Sequence, residues 1–528
     1  MKKLRPSIYA SLLILFFLLQ FSFLKPRTQS FNFSDENEHL TPAWMMAEKH
    51  KSLYRDLSTN HQPLPIITAF AFWKIIRFTN LFMLIERVRQ FMLLLSFLGA
   101  FLLSIRFGAR GFIASIFIEI LKFYFFGYHL LAESLVVYPL MYLSGVVGEF
   151  SFLNIKNGKW LKFDEGIFGI CIFWVAFNLL PAWPFLFFIT ALFLYLKPKT
   201  LKRASILNTL LPFFIPTFIL FTAINPLRWF QEAVINNFKY FLPYDTSLTA
   251  QSYLSFLIYP FLSLQSLSQV IARYYLLLLI PASISAAIIL LKSQRKIRTG
   301  VIFLLFYFML ILLNLRITTL NIGFYTAFHV LPQAAFFTML TIQFVYLAYK
   351  ALTIPSERKI FSGIMTVIGI VLIANSSIWW RESALFDKWN EHFIQYGDNE
   401  SIGMAISAIK LNGDTLLAGE QNGFINITAG VPLATRQTAY LSWGYRSPDL
   451  KNEFESVLKN SPPVFIFFPQ SGNPYFMALK QTLDEKYIRI RRTFGGDTNL
   501  YMLATEVSKR TPEEWGKFSG LLYKPPAN

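Results

Sequence analysis

Long apolar runs recur along this chain, at 7–24, 90–106, 111–128, 131–150, 166–181, 182–196, 205–224, 272–291, 300–315, 322–349 and 360–378. A helix needs roughly 20 mostly apolar residues to cross the hydrocarbon core of a bilayer. The runs therefore predict a mainly α protein, a polytopic transmembrane helix bundle of about eleven spans. Only Pro181-Ala182-Trp183-Pro184 divides the fifth run from the sixth, which reads as a tight turn. The first run follows Met1-Lys2-Lys3-Leu4-Arg5 and leads into Lys25-Pro26-Arg27 without a small-x-small cleavage pattern. It reads as an uncleaved first helix rather than a signal peptide.

Charge is scarce and ordered. Only 15% of the 528 residues are charged, against about a quarter in soluble chains. The net charge of +19 sits in short basic clusters between the runs, which sets membrane orientation and argues against nucleic-acid binding. With the N-terminus inside, the cytoplasmic segments carry Lys2, Lys3 and Arg5; Arg106 and Arg110; Lys156, Lys159 and Lys162; Lys197, Lys199, Lys202 and Arg203; Lys292, Arg295, Lys296 and Arg298; and Lys350, Arg358 and Lys359. The short outer turns near His129 and Pro181 carry no Lys or Arg. This alternation predicts a multi-pass protein of the plasma (inner) membrane, N-terminus cytoplasmic and C-terminal domain extracytoplasmic. The single cysteine, Cys171, excludes an intrachain disulfide.

Two domains are expected: a transmembrane domain at 1–378 with outer loops 25–89 and 225–271, and a small soluble α/β domain at 379–528. Within the loops, 64–82 is amphipathic and reads as interfacial, and 253–264, broken by Pro260, as interfacial or re-entrant. In the tail, the apolar stretches 415–418, 464–468 and 500–504 read as strands.

Candidate chemistry lies in the outer segments. Phe33-Ser34-Asp35-Glu36-Asn37-Glu38-His39 follows the first helix, and clustered carboxylates near lipid bind a cation, share a proton or act as a base. Alternatively, Ser34 caps a helix over 35–51, with the acids in its favourable first turn. His129 and Glu133, four apart on an expected helix, could hold a divalent metal with Glu36 or Asp35; the plainer reading is a hydrogen-bonded contact at a helix end. Glu119, Lys122 and His329 read as polar contacts within the bundle.

Beyond the acids come Leu53-Tyr54-Arg55-Asp56 and then His61-Gln62-Pro63-Leu64-Pro65. The acidic pair, an Ala-containing helix, the Tyr-Arg-Asp turn and the His-x-Pro-Leu lead into an interfacial helix resemble the first outer loop of GT-C glycosyltransferases. That superfamily includes protein O-mannosyltransferases and the aminoarabinose transferases of lipid A. Tyr128 to Ser134, Arg316 with Phe324 to Pro332, and Tyr487 to Leu503 resemble later segments of the same proteins. Where aminoarabinose transferases carry a Lys-Pro-Pro-type sequence, this chain has His61-Gln62-Pro63.

The resemblance implies a GT-C-like fold and transfer of a sugar from a polyprenyl-phosphate donor to a glycan, lipid or protein acceptor. Such a donor already carries a leaving group. The enzyme must supply a carboxylate to deprotonate the acceptor hydroxyl and cations for the departing phosphate. The resemblance assigns Asp35 as general base with Glu36 as orienting partner or alternative base, Arg316 and His61 as donor-phosphate ligands, and Glu133, with His129, to the cavity. A transporter or lipid flippase is the alternative, but the chain shows no internal repeat and its notable charges lie in loops rather than at mid-membrane.

Overall fold

The structure is a computed structural model describing residues 6–24, 34–122, 125–152, 161–196, 202–241, 270–294, 296–313, 328–382, 396–469, 472–494 and 497–526. Each predicted run overlaps a helix: Pro6–Leu24, Leu81–Phe107, Ala109–Lys122, Val137–Phe152, Leu161–Ala176, Trp183–Leu196, Lys202–Ala223, Val270–Lys292, Lys296–Leu312, Leu331–Ala351 and Pro355–Glu382. Among the described residues, three helical segments are long and apolar enough to cross a membrane by length and composition: Leu81–Phe107, Ile206–Ala223 and Phe328–Ala351. Large apolar side chains such as Leu15, Leu19, Phe218, Val367 and Ile370 are exposed, as on a membrane protein's lipid-facing surface.

The chain divides into two compact units. The first comprises Met1–Leu24, Gln90–Leu220 and Leu248–Leu385. Helix Leu331–Ala351 is buried along most of its length and packs on Val137–Phe152 and Val270–Lys292. Gly145 permits this closeness, because a Cβ there would meet Phe107 Cζ at 2.6 Å and Met339 Cε at 2.8 Å.

Polar groups in this unit are bundled. Arg106 donates to both oxygens of Asp164, at 2.5 and 2.7 Å, and to Glu149 at 2.7 Å. Arg110 reaches Glu149 at 2.5 Å and Gln343 at 2.6 Å. Elsewhere Lys122 donates to Glu119 at 3.1 Å, and Glu119 also accepts from Tyr138 at 2.7 Å. These are the internal polar contacts expected of Glu119 and Lys122.

The third helix is shorter than its run. It ends at Lys122 rather than near 128, and the chain turns through 125–130. Gly127 N–H donates to Lys122 O at 2.7 Å and closes that end. The bend carries His129 off the following helix, Ala132–Leu135, so His129 and Glu133 do not share a helical face as their spacing suggested.

The second unit comprises Lys25–Arg89, Phe221–Ser247 and Phe386–Asn528. Its sheet has strands β1 Leu416–Ala418, β2 Phe465–Phe467, β3 Tyr487–Arg492, β4 Asp497–Leu503 and β5 Tyr523–Lys524. Their order is β1-β2-β4-β3-β5, with β1 parallel to β2 and the other pairs antiparallel. Alternate residues serve opposite faces. Leu416, Phe465, Phe467, Leu500 and Met502 join one core with Ile402, Ile406 and Phe518. Leu417, Ile466, Phe468 and Tyr501 join the other with Phe454, Tyr475 and Leu479. Helices thus cover both faces, which is why the strands read as continuous apolar stretches.

The loop segments dock onto this layer. Ser58 N–H donates to Arg436 O at 2.7 Å, and Thr438 N–H returns a bond to Ser58 O at 3.2 Å. The expected interfacial stretch contains helix Pro63–Ile75, with Leu64, Ile66, Phe72 and Trp73 buried. The stretch 253–264 lies outside the described residues.

Candidate active site

Helix Ser34–Glu48 carries the acids in its first turns. At about 100° per residue, Asp35, Glu38 and His39 lie on one side and Glu36 is turned away. The contacts follow that geometry. Gln421 Nε2 donates to Asp35 Oδ1 at 3.1 Å and also to Glu38. Glu38 pairs with His61 Nε2, and the His61 ring stands edge-on to His39 with centroids 4.6 Å apart. Asn37 donates to the backbone carbonyl of Gln421. On the other side, Arg89 Nη2 holds Glu36 at 2.9 Å and reaches the Tyr396 hydroxyl at 3.2 Å.

Burial separates the roles available to these groups. Glu36, Glu38 and His39 are buried, whereas Asp35 is half-buried. Burial drives the His39 imidazole well below its ordinary value, and the neighbouring His61 adds to the shift. His61 is anchored from a second direction, since the Tyr54 hydroxyl donates to its carbonyl at 2.6 Å. Tyr54 adopts a left-handed backbone, φ 59°, inside the Tyr-Arg-Asp turn. Burial, with a smaller contribution from Glu232, pushes its phenol well above the ordinary range.

The expected site residues fall in several places. Asp35, Glu36 and His61 all belong to the second unit, and Glu38 with Gln421 links the first and last of the three. Arg316 lies outside the described residues. Glu133 belongs to the first unit and faces His329, 3.1 Å away, rather than pairing with His129 along a helix. Among the described residues, no group of three His, Cys, Asp or Glu side chains is placed to hold a metal ion.

Sequence reasoning named Glu38 only as one of the clustered acids, and passed over Arg89 and Gln421. Glu38 is three residues beyond Asp35, and helical spacing was the signal available for it. Arg89 stands one residue before an apolar run, with nothing to mark its partner. Gln421 is 386 residues from Asp35 along the chain and carries no local signal at all.

The chain is similar to the crystal structure of ArnT from Cupriavidus metallidurans in the apo state. The two share 12% identity with a TM-score of 0.48, over 94% of this chain and 99% of that one. Neither a protein-family model nor a curated protein sequence matches the chain.

Proposed function

We propose that this chain is a membrane glycosyltransferase of the GT-C type, moving a sugar from a polyprenyl-phosphate donor to an acceptor hydroxyl at the outer face of the membrane. In this reading the bundle at 1–378 crosses the membrane about eleven times, and 379–528 lies outside with the loops 25–89 and 225–271. The acceptor oxygen attacks the anomeric carbon, the bond to the phosphate oxygen breaks, and the acceptor proton passes to Asp35. Arg316 and His61 are the cations assigned to the departing phosphate, Arg316 for its bidentate fit. His61 keeps 25% of its side-chain surface exposed while Glu38 orients it.

One observation carries the base assignment. Of the three carboxylates in the first turns of the helix, Glu36 and Glu38 are buried, while Asp35 is half-buried and accepts a hydrogen bond from Gln421 Nε2. A base needs that combination of access and fixed orientation. Asp35→Asn preserves size and hydrogen bonding but takes no proton, so transfer should fall by at least about a hundredfold. Purified Asp35→Asn protein that folds, inserts and transfers sugar at the parental rate would end the assignment.

A further inference from the structure

One margin of the sheet in the second unit, where β3 ends and β5 begins, presents apolar side chains to solvent. Phe494, just past β3, is 79% exposed, and Leu522, just before β5, is 59% exposed. Thr493 N–H donates to Leu522 O at 2.9 Å, so the two stand on the same margin. Leu522 also has a left-handed backbone, φ 68°, which a bulky residue adopts only under strain. A strained turn that holds a leucine out in water gains nothing for the fold. Basic groups flank it, since β3 and β5 place Arg491 directly opposite Lys524, both exposed. Like charges in that register repel. An anionic surface would relieve the repulsion as it covered the apolar pair.

Other contacts locate this margin within the unit. Helix Leu81–Phe107, long and apolar enough to cross a membrane, begins in the same unit. Its Leu81 N–H donates to Glu400 Oε2 at 3.1 Å, and its Arg89 Nη2 reaches the Tyr396 hydroxyl at 3.2 Å. Tyr396 and Glu400 stand at the start of helix Gly397–Ile409. The same turn holds the margin: Asp398 Oδ1 accepts from Arg492 Nη2 at 2.6 Å, and Ser401 Oγ lies 3.3 Å from the Tyr523 hydroxyl. Phe494 and Leu522 are therefore tied, through one helical turn, to the head of a long apolar helix.

A protein strand is a poor occupant. β5 is the sheet edge, but it is two residues long and runs into Pro525 and Pro526, which carry no N–H for another strand. An exposed aromatic and an aliphatic side chain flanked by Arg and Lys match the interfacial layer of a bilayer, where apolar groups enter between headgroups and cations meet phosphates. We propose that this margin docks on the membrane surface, inserting Phe494 and Leu522 between anionic lipid headgroups with Arg491 and Lys524 at the phosphates. The proposal rests on the membrane-spanning reading of Leu81–Phe107 and is independent of the transfer chemistry.

The test is spin labelling of the full-length protein in nanodiscs, with depth read from the opposed accessibilities of oxygen and a water-soluble nickel chelate. Cys171, the single cysteine, is buried, which leaves an introduced cysteine as the labelled site. Phe494→Cys and Leu522→Cys carry the label at the margin. Leu98→Cys, at an exposed position of helix Leu81–Phe107, reports the bilayer interior. Lys459→Cys reports water: it is exposed and precedes β2 at the opposite end of the sheet, where the Tyr487 hydroxyl donates to Pro463 O. In nanodiscs containing phosphatidylglycerol, both margin labels should lie about 5–10 Å inside the headgroup boundary. Adding Arg491→Glu with Lys524→Glu should return them to the aqueous reading of the Lys459 label. Aqueous margin labels beside a Leu98 label deep in lipid overturn the proposal and leave the spanning helix standing; an aqueous Leu98 label removes both. Margin labels shielded from oxygen and nickel alike mean that protein covers the margin, which overturns the proposal too. Unchanged depth after the double charge reversal, or in nanodiscs of phosphatidylcholine alone, overturns docking on anionic headgroups.

Discussion

Glu36 and Arg89 form an ion pair whose side chains are 0% and 4% exposed. Removing one partner of such a pair leaves an uncompensated buried charge, typically costing about 3–5 kcal/mol. Glu36→Gln should therefore lower the unfolding midpoint of purified protein clearly, while Asp35→Asn, at a half-buried position, should not. Adding Arg89→Met to Glu36→Gln should recover much of the loss; an unchanged midpoint in Glu36→Gln alone would deny the pair its stabilising role. His39 gives a pH dependence of definite sign. Its imidazole is neutral in the fold because burial, then His61, lower its pKa, whereas the unfolded chain protonates near 6.5. The unfolded state binds the extra proton, so this contribution to stability is lost as pH falls below about 6.5, by up to about 1.4 kcal/mol per pH unit until the folded value is reached. Melting temperatures between pH 7.5 and 5.5 should fall more steeply for the parent than for His39→Gln, and parallel slopes would refute it. The sequence exposed the acids themselves, but not which one remains accessible. That depends on Arg89, His61 and Gln421, whose side chains meet the helix only in three dimensions.

Among the elements, the sheet strands were readable because both faces are covered, leaving uniform apolar stretches at 416–418 and 465–467. Helix ends were less so. The run 111–128 stays apolar beyond Lys122, and it is the turn closed by Gly127, not composition, that stops the helix. The approach of the tail to helix Ser34–Glu48 shows the same dependence on a small residue. A Cβ on Gly423 would lie 2.5 Å from Thr41 Oγ1 and 3.0 Å from Thr41 Cβ, so glycine is what lets the segment bearing Gln421 come this near. Gly423→Ala should cost about 1–3 kcal/mol as an overpacking change. It should also reduce transfer, since Gln421 steadies Asp35 from two residues away. Thr41→Ala in the same chain should restore part of both. A Gly423→Ala protein that melts and transfers like the parent would mean the contact tolerates a methyl group.

For the whole molecule, the proposed orientation follows from the basic segments and an odd number of crossings, and it is tested with reporter fusions. Fusions after Arg381 should be active on the outer side and those within Lys292–Arg298 on the cytoplasmic side; an outward signal from the latter would relocate every proposed site residue. The assembly of the second unit was the feature least open to sequence reasoning. Hydropathy reports where a chain leaves the bilayer, but not that residues 25–89 and 221–247 cluster with 386–528. This arrangement has a consequence in time. Asp35 and the amide that steadies it are separated by 386 residues, and a ribosome adds about 5–20 residues per second. The first acidic segment is therefore made roughly 20–80 s before Gln421 exists. Throughout that interval the polypeptide carries a cluster of carboxylates whose last partner has yet to be synthesised. On the proposed reading, a nascent chain halted before Gln421 should hold the acidic segment without the amide that steadies Asp35, and transfer should arrive only with the final part of translation.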